Sequence, residues 1–196
     1  MSSSFQAIYQ GRRIVEWDNT NVDISQSSCA ELQRLTYSSY YAGNVLKGGV
    51  SLQLCGWLRT HYLWTGAVSD TIYNGEGEIL NIQKEFSAKD PVGEKIIPFT
   101  NLTDKGYRIL VAAWQHGNQL VLQPDFKSSD TKFSSEQTIS SAMIASHRSS
   151  NERGVKYAKL AGSLSRGKEG NADFKRIDDI WLCWAFQYNF MYKTVL

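Results

Sequence analysis

Three carboxylates stand out as groups that could do chemistry: Asp18, Asp104 and Glu152. Asp18 follows the strand formers Ile14, Val15 and Trp17, and the polar Asn19-Thr20-Asn21 behind it reads as the end of that strand. In an open α/β sheet an acid on the last strand residue points into the crevice beyond the strand ends, where such sheets bind ligands. The plainer alternative is a strand-to-turn Asp whose carboxylate accepts backbone N–H groups. Asp104, in Thr103-Asp104-Lys105-Gly106-Tyr107, follows a fourth strand over Lys95 to Leu102, and Glu152 lies in a helical stretch as Asn151-Glu152-Arg153. Converging carboxylates repel one another and are hard to keep ionised unless cations neutralise them, and hard oxygen donors suit Mg²⁺ or Mn²⁺.

Charge distribution bears on the same chemistry. Residues 1–98 carry 8 Lys and Arg against 10 Asp and Glu, whereas residues 99–196 carry 13 against 9, so the basic excess belongs to the second half. Within Ile144 to Arg176 the bases are Arg148, Arg153, Lys156, Lys159, Arg166, Lys168, Lys175 and Arg176, against Glu152, Glu169 and Asp173. That local excess has the character of a phosphate-binding face, and on charge alone a solvated helix face explains it equally well.

Several classes are excluded. Gly-x-Ser-x-Gly, P-loop and His-Glu-x-x-His motifs are absent, Gly75-Glu76-Gly77 does not continue as a dinucleotide fingerprint, and His61, His116 and His147 are isolated. Cys29, Cys55 and Cys183 are odd in number and far apart, which suits a reducing compartment rather than a disulfide framework or a zinc knuckle. The longest apolar run, Ile109 to Trp114, is too short to span a bilayer, and the N-terminus has no apolar signal region. The expectation is an intracellular chain, nuclear or cytoplasmic, without a membrane partner.

These groups must be positioned by the elements around them. Val22 to Asn44 is polar and Ser/Tyr-rich, a long excursion with a short helix over Ala30 to Leu35. Val45 to Trp57 and Tyr62 to Ser69 read as two β-rich runs split by a turn around Leu58-Arg59-Thr60, and Gly48-Gly49 marks a bulge or a close backbone approach. Asp70 opens a helical stretch to Phe86 with Ile72, Ile79, Ile82 and Phe86 as its apolar face, and the carboxylate of Asp70 is expected to cap it. After a loop containing Asp90-Pro91 come a strand over Lys95 to Leu102, a helix over Arg108 to Trp114 and a strand over Gln119 to Gln123. That order requires a right-handed crossover between two parallel strands. Helices over Ser134 to His147 and Asn151 to Leu160 follow. A last helix, Phe174 to Tyr192, presents Ile177, Ile180, Trp181, Trp184, Tyr188 and Met191, a stripe that reads as core.

Three antiparallel strands, a helix, a β-α-β unit and a long C-terminal helix make the element order of a ribonuclease-H-like α/β fold. The expectation is one domain over residues 1–196 with a five-stranded mixed sheet flanked by helices. In that order Asp18 and Asp104 end on neighbouring strands, and a helix after the fifth strand brings Glu152 across the top.

The chain also resembles the DDE-type transposase endonucleases, and among them the Harbinger-like eukaryotic group. The resemblance rests on Trp17-Asp18-Asn19-Thr20-Asn21, Lys47-Gly48-Gly49-Val50, Gln53-Leu54-Cys55-Gly56-Trp57 and Leu63-Trp64-Thr65-Gly66-Ala67-Val68-Ser69-Asp70. It continues in Asp104-Lys105-Gly106-Tyr107, Asn151-Glu152-Arg153 and Phe186-Gln187-Tyr188-Asn189-Phe190-Met191, so the ordered set covers nearly the whole chain.

The resemblance implies a catalytic trio of Asp18, Asp104 and Glu152 holding two Mg²⁺ or Mn²⁺ ions, with in-line displacement at a DNA phosphodiester. Asp70 matches a family position and stands as an accessory acid. Arg148, Arg153, Lys156 and Lys159 lie near Glu152 and are candidates for the DNA backbone. No separate N-terminal DNA-binding domain is expected, because the first strand begins close to residue 1, so a separate DNA-binding partner protein is implied and a homodimer is compatible. The competing reading is a non-catalytic nucleic-acid-binding or scaffold protein derived from the same fold. Which DNA is cut, and whether strand transfer follows cleavage, are open at this level.

Overall fold

A computed structural model describes residues 13–53, 56–76, 78–88, 99–104, 107–117, 119–124, 134–139, 141–142, 144–145, 156 and 174–191. Its centre is β1, Ile14–Asp23, which runs through the polar residues expected to end it. The alternation explains why. Thr20, Val22 and Ile24 are buried on one face while Asn19 and Asn21 fall on the other, so a period of two continues through a stretch that looks like a turn by composition.

The remaining elements are α1 (Ala30–Thr36), β2 (Tyr37–Ser38), β3 (Gly43–Gln53), β4 (Leu58–Thr60), β5 (Trp64–Thr65), α2 (Asp70–Glu76), α3 (Glu78–Ala88), β6 (Thr100–Leu102), α4 (Leu110–Gln115), β7 (Leu120–Leu122) and α5 (Phe174–Met191). The strands form one mixed seven-stranded sheet in the order β2-β3-β1-β6-β7, with β4 and β5 also paired to β3. Five strands were expected. β4 is a strand on Leu58–Thr60, residues read as a turn between the two β-rich runs, and only Trp64–Thr65 of the run over Tyr62 to Ser69 is strand. Both pieces are antiparallel to the long β3, and β2 adds a further short edge. β1 is antiparallel to β3 and parallel to β6, which is parallel to β7, as the crossover required.

Both faces of the sheet are covered. On one, Val22, Val50 and Leu52 pack with Ile177, Trp181, Ala185 and Tyr188 of α5. On the other, Val15 and Trp17 pack with Ile79 and Leu80 of α3 and with Ile109 and Ala113 at α4. The tryptophan stripe is therefore core at Trp181, whose indole N–H also donates to the His61 carbonyl at 2.9 Å. Met191, expected on the same face, is 65% exposed, because the buried line runs 177, 181, 185, 188 and passes it by.

The helical stretch after Asp70 is two helices, and its buried side differs from expectation. Tyr73, Asn74, Ile79, Leu80 and Gln83 are buried while Ile72 is exposed, so the inward line carries two amides that a search for apolar residues passes over. Gly48 and Gly49 sit in an unbroken ladder opposite Thr20 and Asn19 and mark a close approach, not a bulge. A Cβ on Gly48 would meet Trp181 at 2.8 Å, and one on Gly49 would meet Tyr73 at 2.8 Å.

The Asp90-Pro91 loop, residues 95–98 of the expected fourth strand and all of the helix expected over Asn151 to Leu160 except Lys156 lie outside the described residues. Lys156 is helical and exposed, and residues 135–139 are helical as expected. Among the described residues no helix is long and apolar enough to cross a membrane.

Candidate functional site

Strand pairing creates the site. β6 pairs with β1 only at Ile14, Val15 and Glu16, ending at Glu16 opposite Leu102, whereas β3 follows β1 as far as Asp23. Beyond Glu16 one flank of β1 therefore has no ladder with β6, and the sheet opens there. Asp18 is the second residue past that point on β1, and Asp104 is the second residue past Leu102. Asp18 is not the last residue of its strand, as expected, but it stands where its neighbour diverges, which has the same consequence: it lines a crevice beyond a strand end. Asp18, Asp70 and Asp104 all line one cavity of about 720 Å³, together with Asn19, Lys47 and Tyr107.

Asp18 is held by donors. Its Oδ1 accepts the Asn19 N–H at 2.9 Å and the Tyr107 hydroxyl at 3.3 Å, and that hydroxyl oxygen in turn accepts the Asn19 N–H at 2.7 Å. Burial, reinforced by the charges of Asp18 and Asp70, pushes the Tyr107 hydroxyl far above the ordinary tyrosine range, so it keeps its proton and remains a donor.

Asp104 is fixed through its backbone. Its carbonyl accepts the Tyr107 N–H at 3.1 Å and the Gln123 side-chain N–H at 3.2 Å, and the same Gln123 amide donates to Thr103 Oγ1 and to the Tyr107 carbonyl. The short segment after β6 is thus tied to the end of β7, and the carboxylate of Asp104 is carried on an anchored turn.

Asp70 does not cap α2. Ser69 does, with its Oγ accepting the Ile72 N–H at 3.3 Å and its carbonyl accepting the Tyr73 N–H at 2.9 Å. The Asp70 carboxylate turns to the sheet instead, where Oδ1 accepts Lys47 Nζ at 2.7 Å and Asn19 Nδ2 at 3.1 Å. Lys47 Nζ also donates to the Val68 carbonyl at 2.6 Å. One asparagine therefore links two acids, its backbone N–H on Asp18 and its side chain on Asp70.

Glu152, Arg148, Arg153 and Lys159 lie outside the described residues. Of the expected site residues, Asp18, Asp104 and Asp70 come together in one cavity. Lys47, Asn19 and Tyr107 belong to the site through contacts across strands, which spacing along the chain does not show. Among the described residues no group of three or more His, Cys, Asp or Glu is placed to hold a metal ion. Asp18 and Asp104 fit as two hard oxygen donors lining one cavity, each two residues beyond the last β1–β6 pair, and a full set needs a further donor from outside the described residues. No family model, curated protein or solved structure matches the chain.

Proposed function

We propose that the chain is a DDE-type, metal-dependent endonuclease that cleaves DNA phosphodiesters, built on a ribonuclease-H-like fold. One observation carries the reading: on two parallel neighbouring strands an aspartate lies two residues beyond the last paired residue, Asp18 after Glu16 and Asp104 after Leu102, and both line one cavity. The strand order β2-β3-β1-β6-β7, with only β3 reversed along the main path through β1, β6 and β7, supports the fold.

In this reading Asp18, Asp104 and Glu152 hold Mg²⁺ or Mn²⁺, which when bound supplies charge neutralisation at the phosphate and an activated oxygen nucleophile. The chain's own contribution is preorganisation. Tyr107 and the Asn19 N–H orient the Asp18 carboxylate, and the Gln123 amide holds the turn that carries Asp104. Lys47 forms an ion pair with Asp70 at 2.7 Å and so offsets one of the negative charges that line the cavity. Lys156, with Arg148, Arg153 and Lys159, is assigned to the phosphate backbone, making DNA the partner and the nucleus the place of action.

A non-catalytic nucleic-acid-binding protein is the second reading, supported by the basic excess of residues 99–196, 13 Lys and Arg against 9 Asp and Glu, which suits phosphate binding without any chemistry. Nicking assays separate the two. The purified chain should nick duplex DNA in Mn²⁺, and Asp18→Asn or Glu152→Gln should abolish nicking while DNA binding survives. Nicking that persists in either variant would remove that acid from the chemistry, and no nicking by the wild type in either metal would favour the second reading.

A further inference from the structure

The four-residue turn 39–42 between β2 and β3 carries two tyrosines and follows a third. Tyr37, Tyr40 and Tyr41 are 46%, 86% and 54% exposed, and all three line the cavity that holds Asp18 and Asp104. The rings of Tyr40 and Tyr41 stand edge to face with centroids 4.8 Å apart. Singly exposed aromatics need no explanation, but three within five residues on the lip of one cavity form a patch that water disfavours.

The patch is also rigidly presented. Ala42 is held at φ 51°, a left-handed conformation that a residue with a Cβ keeps only when its surroundings impose it. The buried Asn44 amide donates to Thr36 Oγ1 at 2.7 Å and to the Gln33 carbonyl at 3.0 Å, pinning the hairpin to α1. Asn21, Ser38 and Ser39 line the same cavity and offer polar groups beside the rings.

We infer that this hairpin is a stacking ledge that takes an unpaired base of the DNA strand whose phosphate enters the acid cavity. The inference rests on the reading of that cavity as a phosphodiester site and adds the form of DNA it prefers. Every base has a π face, which an aromatic ring accepts without regard to sequence, but a base inside a duplex has both faces covered by its neighbours. Exposed rings at the mouth of the cavity therefore select a frayed end, a gap or a single-stranded tail over intact duplex. The volume of about 720 Å³ lies within the range of roughly 300–1,000 Å³ typical of small-molecule pockets, enough for a nucleotide.

The test compares two DNAs in Ca²⁺, a blunt duplex and the same duplex with a short single-stranded tail containing 2-aminopurine, bound to the full chain. The tail should tighten binding by about ten-fold, as stacking of one base supports, and its fluorescence should be quenched. Tyr40→Ala with Tyr41→Ala should bring both DNAs to the blunt value and remove the quenching, while Tyr40→Trp should keep both effects. Equal affinity of the wild type for the two DNAs, or a preference that survives the double substitution, would overturn the ledge. A chain that prefers the tail but never nicks DNA in Mn²⁺ would retire the endonuclease reading and leave the ledge standing. One that nicks yet binds both DNAs equally would retire the ledge alone.

Discussion

Asn19 illustrates how a single residue organises the site: its backbone N–H serves Asp18 and Tyr107, and its side chain serves Asp70. A pattern of residue types marks the acids, whereas the groups that orient them are set by cross-strand geometry. Tyr107 lies three positions after Asp104 yet bonds Asp18, a partnership written in the strand register and not in the motif. His61, isolated in sequence, has a different part. Its Nε2 is 2.9 Å from Ser51 Oγ, its Nδ1 is buried without a hydrogen-bond partner among the described residues, and burial, with a smaller contribution from the Arg59 charge, pushes its pKa down from 6.5 to about 3. Between those values the unfolded chain binds the proton and the folded chain does not. The stability contributed by the neutral ring is therefore full above about pH 6.5 and is lost as pH falls toward 3. Urea unfolding of the wild type should weaken more steeply than that of His61→Gln over this window, by up to about 1.4 kcal/mol per pH unit. Parallel curves for the two proteins would mean that His61 is protonated in the fold.

Elements were legible where their pattern is periodic and opaque where polar residues do structural work. β3, α4, β7 and α5 follow from runs of apolar residues and their stops. Asn-Thr-Asn is turn-like by composition and predicts an end to β1 at Asp18, while the alternation of Thr20, Val22 and Ile24 continues the strand. The inward side of α2 and α3 departs from the apolar pattern for a similar reason, since Asn74 and Gln83 are buried along with Tyr73 and Leu80. Gly48 belongs to this scale, because the missing side chain lets β3 pass directly beneath α5. Gly48→Ala places a methyl 2.8 Å from both Leu63 and Trp181, and the indole is itself tied to the His61 carbonyl and cannot shift freely. The substitution should cost about 1–3 kcal/mol, the range for overpacking a core, measured as a lower urea midpoint with unchanged slope. A change within a few tenths of a kcal/mol would show that α5 moves readily against the sheet.

The whole molecule couples the candidate site to stability, because its acids come from strands far apart in the chain that only the folded sheet brings to one cavity. Metal that binds between them binds the fold and not the unfolded chain. Mn²⁺ at about ten times its dissociation constant should therefore stabilise the wild type by about 1.4 kcal/mol. For a chain of this size that corresponds to a melting shift of roughly 3–6 °C. Without metal, Asp18 and Asp104 place like charges at one cavity, so Asp104→Asn should melt at the wild-type temperature or slightly above it and should lose most of the Mn²⁺ shift. The Asp104 carbonyl accepts from Tyr107 and Gln123, and asparagine leaves those two contacts intact. A variant that melts lower without metal and responds to Mn²⁺ as fully as the wild type would make Asp104 a structural turn residue and remove the metal from between these two strands.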